Sequence, residues 1–427
     1  MPLFKNRNYL FLLFGRVVTN IGDSLYYVAT MWLVYKLGGN AFYSGLAGFL
    51  TLLPSSLQFI TGPFVDTWPV KKTLITTQIL QTLLILIIPI TYHFDLLTVQ
   101  LVLCIMPIAS FIQQFAYPSQ TKALPMILEK KELIKGNSYF AFAYQGIDLV
   151  FNAISGILVA FLGVTFLYIS DSIIFAIAAM LFSLLKFPSI KDEQKEYKTG
   201  KIPKYLTDLK EGFAIVFRSL IATFLIATFL IGSIVANFCI GAAMAILPSL
   251  ADAQGGPIYY GFYLAAMSVG GLIGALCGAW MGKFRLGFFV IISFCISAVF
   301  WILAALVPST YIAIICFALA WIPIGGTNVI FATTMQTVVP QHLLGRLNTV
   351  SGSMSAVAMP IGSLAGGYVS SITSSTLTFS LTGIGLLIVS IVWMLHPRLR
   401  DLPEVKLLSG DIMGIDLPKS SRTAEAE

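Results

Sequence analysis

The run from Tyr9 to Tyr35, YLFLLFGRVVTNIGDSLYYVATMWLVY, is apolar almost throughout, yet it carries Arg16 and Asp23. At a rise of about 1.5 Å per residue it is roughly 40 Å long as a helix, enough to cross about 30 Å of hydrocarbon. Asp23 then falls near mid-depth, with Arg16 two turns nearer the start. A carboxylate at the bilayer centre costs a few kcal/mol even on lenient insertion scales. A chain that keeps one there must shield it against other helices or a wet cavity. The remaining spans are therefore expected to wall such a cavity, and the chain to be a transporter.

The bilayer reading rests on composition. Of the 427 residues, 57% are hydrophobic and 11% charged, with a mean hydropathy of +0.87. Soluble domains have about 25% charged residues. Twelve apolar runs are long enough to span: Tyr9–Tyr35, Tyr43–Val65, Thr73–Tyr92, Leu97–Tyr117, Ser138–Phe161, Thr165–Phe187, Leu220–Leu247, Ile258–Met281, Gly287–Val307, Tyr311–Thr334, Leu347–Ser371 and Thr376–His396. The expected fold is all-α and polytopic, with twelve transmembrane helices in two six-helix halves, 1–187 and 219–396. The polar linker 188–218 joins them and the tail 397–427 follows. Leu206, Leu209, Phe213 and Val216 recur at helical spacing in the linker, which fits an amphipathic helix on the inner leaflet or a solvated linker helix. The tail is polar and expected to be poorly ordered.

Orientation follows from the 26 Lys and Arg residues. Lys36 alone lies in a loop that would face outward, and Arg16 alone lies well inside a span. The rest sit in the N-terminal tip, the even-numbered loops, the linker and the tail, so both termini are expected in the cytoplasm. The formal charge of +7 is thus a topology signal, and no nucleic-acid partner is expected. Cys104, Cys239, Cys277, Cys295 and Cys316 lie in apolar runs without a C-x-x-C pair, as expected of reduced thiols. His93, His342 and His396 fall at or near span ends, leaving no mid-span pair for haem. No Walker A pattern occurs. The first run is too long and too charged for a cleavable signal and is expected to be retained.

Two short stretches mark a repeat. Pro125, Leu133 and Asn137-Ser138 open the fifth span, and Pro340, Leu344 and Asn348-Thr349 open the eleventh. Repeated halves with a midplane site between them are a common transporter plan.

The loop after the second run reads Gly62-Pro63-Phe64-Val65-Asp66-Thr67-Trp68-Pro69-Val70-Lys71-Lys72. It resembles the inner loop between spans two and three of the major facilitator superfamily, of the form G-x-x-x-D-R-x-G-R-K. Gly62, Asp66 and Lys71 match, whereas Thr67, Pro69 and Val70 depart. The resemblance implies a cytoplasmic latch at Gly62, Asp66, Lys71 and Lys72, in which a carboxylate meets helix ends and basic groups as the transporter cycles. A basic turn capped by Asp66 would use the same residues without a latch. The stretches around Pro118, Pro125, Leu133 and Asn137, Arg16 with Gly22-Asp23, Asp171-Ser172, and Pro340 through Gly345-Arg346-Leu347 are similar to the macrolide-efflux and siderophore-exporter branch. That likeness, over Phe4 to His396, implies alternating access and export of an amphipathic small molecule in exchange for protons.

Two departures bear on coupling. Proton-coupled members of the superfamily usually carry an Arg in span four, where this chain has Met106-Pro107-Ile108-Ala109. The span-five antiporter signature, of the form G-P-x-x-G-G, appears only as Phe151-Asn152-Ala153-Ile154-Ser155-Gly156. Another group must then carry protons, and the mid-span acids are Asp23, Asp148 and Asp171. Asp23 shares a face with Arg16, so the two can form a structural ion pair or a coupling site. Asp148 lies one turn after Gln145. Asp171, nearer the outer end of span six, can couple protons or merely cap or brace that helix. Arg16 can also snorkel inward.

If superfamily packing holds, Tyr26, Tyr27, Gln58, Gln113, Gln114, Asn152, Asn237, Trp321, Asn328 and Met354 line the cavity. A mostly apolar pocket with a few polar groups suits an amphipathic ligand, and three acids against one Arg favour a neutral or cationic one. The expected partners are that substrate, protons and membrane lipids, around a monomer in the cell membrane with no cofactor. Uptake, lipid translocation by the same fold and a non-transporting membrane sensor remain open readings. An enzyme is disfavoured, because no metal cluster, haem pair or nucleophile constellation appears.

Overall fold

The computed structural model describes residues 3–56, 68–187, 225–338 and 341–408. The linker 188–218, the tail beyond residue 408, and Gln58, Gly62 and Asp66 lie outside the described residues. Among the described residues the chain is helical, without a strand. Eight of these helical segments are long and apolar enough to cross a membrane.

α1 (Arg7–Gly38) covers the whole first apolar run. Its N-cap Asn6 accepts a hydrogen bond from the Tyr9 amide, and it ends on Gly39 at φ 72°. Its buried residues include Arg16, Thr19 and Asn20 as well as apolar groups. α2 (Ala41–Ser56), α3 (Val70–His93) and α4 (Val99–Ile127) follow. α4 continues ten residues past the expected end at Tyr117, through Pro118 and Pro125. Its last turns are buried at Ser119, Gln120, Ala123 and Leu124. That packing offsets the backbone hydrogen bonds that proline removes.

Next comes one helical stretch, Leu133–Ser183, broken at Gly163 (φ 77°, ψ 160°). We number its arms α5 (133–162) and α6 (164–183). The break falls inside the gap expected between spans five and six. Only glycine holds that backbone conformation without strain.

After the second gap come α7 (Leu225–Ala253), α8 (Pro257–Met281), α9 (Leu286–Leu306), α10 (Thr310–Val338), α11 (Gln341–Ile372), α12 (Ser375–Leu395) and the short α13 (Pro397–Arg400).

The chain divides into two compact units. The first holds α1–α6 together with residues 241–268 and 360–378. At one end of it, Tyr9, Leu12, Leu74, Leu124, Phe140 and Phe182 form a buried cluster. Polar ties close that end: Asn8 donates to the Lys186 carbonyl at 2.8 Å and accepts from its amide, while Lys71 donates to the Leu185 carbonyl at 2.8 Å. At the other end four helix pairs meet. Lys36 of α1 pairs with Asp252 of α7 at 2.6 Å, and the Tyr35 hydroxyl donates to the same carboxylate at 3.2 Å. Trp32 stacks on Tyr260 of α8 with centroids 6.2 Å apart. A Cβ added at Gly156 of α5 would overlap the Gly261 backbone of α8, and one at Gly367 of α11 would overlap Gly45 of α2.

The second unit holds residues 203–240, 269–359 and 379–427. The stripe Gly270, Gly274 and Gly278 lies against α10, where added Cβ atoms would strike the Ala318 and Ile322 carbonyls and Val329. Trp301, Phe317, Trp321 and Phe379 form an aromatic cluster, anchored by the Trp301 indole donating to Thr382 at 3.1 Å. The start of the tail departs from expectation. Residues 397–408 are ordered, because Leu399, Leu402 and Val405 are buried and the Leu286 amide donates to the Pro403 carbonyl at 3.0 Å.

Replacing Gly163 by Ala should cost about 1–3 kcal/mol of backbone strain. In detergent, the variant should melt below wild type and below a Leu162→Ala control at the neighbouring exposed position.

Candidate functional site

Arg16, Thr19 and Asp23 stand at i, i+3 and i+7 on α1, so they form one polar stripe on an otherwise apolar helix. α3 answers with Gln78 and Gln81, and α4 with Gln113, Gln114, Tyr117 and Gln120. Together with Ser55, Ala116 and Phe175 these side chains line a cavity of about 210 Å³ inside the first unit. A smaller one, of about 40 Å³, shares Asp23, Gln81 and Gln113 and adds Tyr26, Tyr27, Thr51 and Ser110. Asp23 belongs to the wall of both.

Arg16 is 3% exposed. Its Nη1 donates to Gln120 Oε1 at 3.1 Å, and its guanidinium sits 4.3 Å from the centre of the Tyr117 ring. A neutral amide oxygen and an aromatic face thus hold the buried cation, and each contact is stronger for the low local dielectric. Gln81 donates to the Ala109 carbonyl at 3.3 Å and Gln114 to the Ser110 carbonyl at 3.3 Å, which fixes these amides against α4. The lining therefore offers neutral donors and acceptors beside one cation and one acid. Such a surface hydrogen-bonds a polar edge of a ligand without demanding an ion.

The other two acids differ in setting. Asp148 on α5 is half-buried and accepts a hydrogen bond from the Ser24 hydroxyl of α1 at 2.9 Å. Asp171 on α6 is fully buried, and neither carboxyl oxygen has a hydrogen-bond partner among the described residues. It does not cap a helix end, as its sequence position allowed: it lies about two turns inside α6, facing α1. A Cβ at Gly22 would come within 2.7 Å of Asp171 Oδ1, so the glycine leaves room for the carboxyl group.

The expected lining residues divide. Tyr26, Tyr27, Gln113 and Gln114 do line the cavities. Asn237 turns its amide back to the Ser233 carbonyl of its own helix at 2.9 Å. Trp321 belongs to the aromatic cluster of the second unit, and Asn328 is exposed on α10. The side chains of Asn152 and Met354, with Gln58, lie outside the described residues. Of the latch set, Lys71 binds the chain just after α6 and Lys72 is exposed at the start of α3. Gln78, Gln81 and Gln120 were missed. The signal was available: Gln78 and Gln81 are spaced i, i+3, and Gln113 and Gln120 are spaced i, i+7, each pair on one helical face.

Long apolar helices that enclose a polar chamber are the build of a multi-pass membrane transporter. Residues 12–363 match the family model described as Major Facilitator Superfamily, and the chain belongs to that family. Among curated relatives, "Multidrug efflux pump Tap" of Mycolicibacterium fortuitum is 24% identical over 404 residues, covering 92% of this chain and 96% of its own. "Macrolide efflux protein A" of Streptococcus pyogenes is 21% identical over 399 residues, covering 91% and 95%. The fold is similar to that of a bacterial homologue of the human lysosomal transporter Spinster, solved inward-facing and unoccupied. Its TM-score is 0.66 at 12% identity, with 93% and 98% of the chains covered. A bacterial homologue of the iron transporter ferroportin, solved inward-facing, also gives a TM-score of 0.66, at 14% identity and 91% and 98% coverage.

Gln120→Ala should remove an acceptor from a buried cation and cost about 1–3 kcal/mol. Gln120→Glu should recover that stability by supplying an anionic acceptor. Melting temperatures in detergent check both; equal melting of wild type and Gln120→Ala would contradict the anchoring role.

Proposed function

We propose that this protein exports an amphipathic small molecule, neutral or cationic, in exchange for protons. The single observation that carries the proposal is the chamber lined by Arg16, Asp23 and five glutamines within apolar helices. An ionisable group kept inside a membrane segment is costly, and such groups usually mark a substrate or ion pathway. The efflux names of the relatives support the outward direction and a drug-like substrate. In this reading Tyr26, Tyr27 and the glutamines meet the substrate's polar and apolar edges. Asp23, Asp148 and Asp171 exchange protons, and Arg16 tunes Asp23 through charge. The protein resides in the cell membrane with both termini in the cytoplasm, following the Lys and Arg distribution.

Transport then requires the chamber to open to each side of the membrane in turn, as the halves 1–187 and 219–396 change their arrangement. The helix ends joined by Lys36–Asp252, Gly45–Gly367 and Gly156–Gly261 would form the outer gate, and Gly62, Asp66, Lys71 and Lys72 the inner latch. An exposed ion pair is worth about 1 kcal/mol at most, so the gate pair can yield within a cycle. The glycine contacts let it close backbone to backbone.

Proteoliposomes with an imposed proton gradient test coupling, with dyes, macrolides and siderophores as substrates. Wild type should move at least one of them only when the gradient is present. Asp23→Asn and Asp148→Asn should each lower that flux by about tenfold or more, while inserting into the membrane normally. Normal flux in both variants would refute coupling through buried acids. The gate has its own test, with Ser363→Cys placed at the α2–α11 contact in a background lacking the native cysteines. Lys36→Glu should raise labelling of that cysteine by an impermeant maleimide added outside, and the added Asp252→Lys should lower it again.

A further inference from the structure

A third cavity, of about 370 Å³, lies between α3 and α4 at the end where α3 begins. Its walls are carbon. Leu80, Phe111, Ile112 and Phe115 supply side chains. Thr73 and Thr77 turn their hydroxyls back to the Pro69 and Leu74 carbonyls at 3.1 and 3.0 Å, leaving their methyl groups for the groove. Trp68 closes one end by stacking on Phe115, with centroids 5.1 Å apart and planes at 14°, and is still 45% exposed.

Two cations stand at that same end. Lys72 lines the mouth, is exposed, and makes no ion pair among the described residues. Lys122 of α4 reaches across to the Trp68 carbonyl at 3.4 Å. Away from the cations, one to two turns beyond Leu80 on α3 and one turn before Phe111 on α4, Leu83, Ile87 and Ile108 are exposed, an apolar surface suited to hydrocarbon. The span from Lys72 to Leu80 is about 12 Å along α3, most of one leaflet's share of a hydrocarbon core about 30 Å thick.

Charge, then an interfacial tryptophan, then an apolar slot open to the acyl region is the order of parts in a phospholipid standing in a leaflet. We infer that the α3–α4 groove binds an anionic glycerophospholipid of the inner leaflet, its phosphate beside Lys72 and Lys122 and one acyl chain against Leu80 and Phe111. The assignment uses the inward orientation of the basic ends but not the export reading. Its test is a binding measurement, so failure here leaves transport unjudged and failure of transport leaves this site standing.

The full chain is reconstituted in phosphatidylcholine vesicles, and Trp68 is read as the difference in fluorescence between wild type and Trp68→Phe. Phosphatidylglycerol with brominated acyl chains should quench that signal at a lower mole fraction than brominated phosphatidylcholine. Lys72→Gln should reduce the preference by about fivefold, the worth of one lysine at an anionic surface. Thr76→Trp, which fills the groove without altering charge, should cut quenching by both lipids and covers the case in which the lysine variant folds poorly. Equal quenching by the two lipids in wild type would overturn the inference, as would an unchanged preference in a folded Lys72→Gln. Relief of quenching by a cationic amphipathic dye, with no preference between the lipids, would make the groove an entry for substrate instead.

Discussion

The structure of the first unit turns on how α1 carries Arg16 through an apolar environment. A guanidinium out of water must be met by acceptors and π faces, and Gln120 and Tyr117 of α4 provide them. Once α4 is bound to that duty, its neighbouring residues Gln113 and Gln114 point into the same space, and Gln78 and Gln81 of α3 complete it. A polar chamber follows from the need to solvate one charge. The cost of holding that charge is offset across several helices, which is why the surrounding contacts are hydrogen bonds between side chains and backbone more than packing of leucines.

Asp23 and Asp171 face the same region under different terms. Asp23 stands on the walls of two cavities. Asp171 is sealed, with the Gly22 backbone against it and no hydrogen-bond partner among the described residues. An acid without partners in such a place is expensive as an anion, whereas one on a cavity wall can change its state with its surroundings. The same unit thus sets one acid on a cavity wall, one in sealed helix contact and a third, Asp148, against the Ser24 hydroxyl.

Contacts at the end of the first unit where α1 meets α7 follow another rule. Glycines at 45, 156, 261 and 367 bring helices together at backbone distance, and the ion pair and stacked rings lie around them. Close backbone approach gives a tight seal without large interlocking side chains. Such a seal can part and re-form without repacking a core. The opposite end, closed by Phe182, Leu124 and Leu12 with Lys71 and Asn8 binding carbonyls, is packed in the ordinary way.

Helix existence was legible because hydrocarbon imposes a length and an apolar composition on any segment that crosses it. The break at Gly163 was legible as a gap between runs, and so were the polar stripe of Arg16 and Asp23 and the family resemblance. Periodicity along one helix says which side is polar but not which neighbour it meets. Hence Gln113 and Gln114 were named while Gln78, Gln81 and Gln120 were not, and the ring partners of Trp321 could not be read from its own helix. The tail beyond His396 looked merely polar, yet Leu399, Leu402 and Val405 find a surface in the second unit. By itself the sequence determined that this chain must lie in a membrane and keep a charge there, since the preference of each side chain for hydrocarbon or water is set first by its residue type. Which side chains solvate that charge, and how deeply each acid is sealed, only the tertiary structure decided, because those depend on distances between helices far apart in the chain.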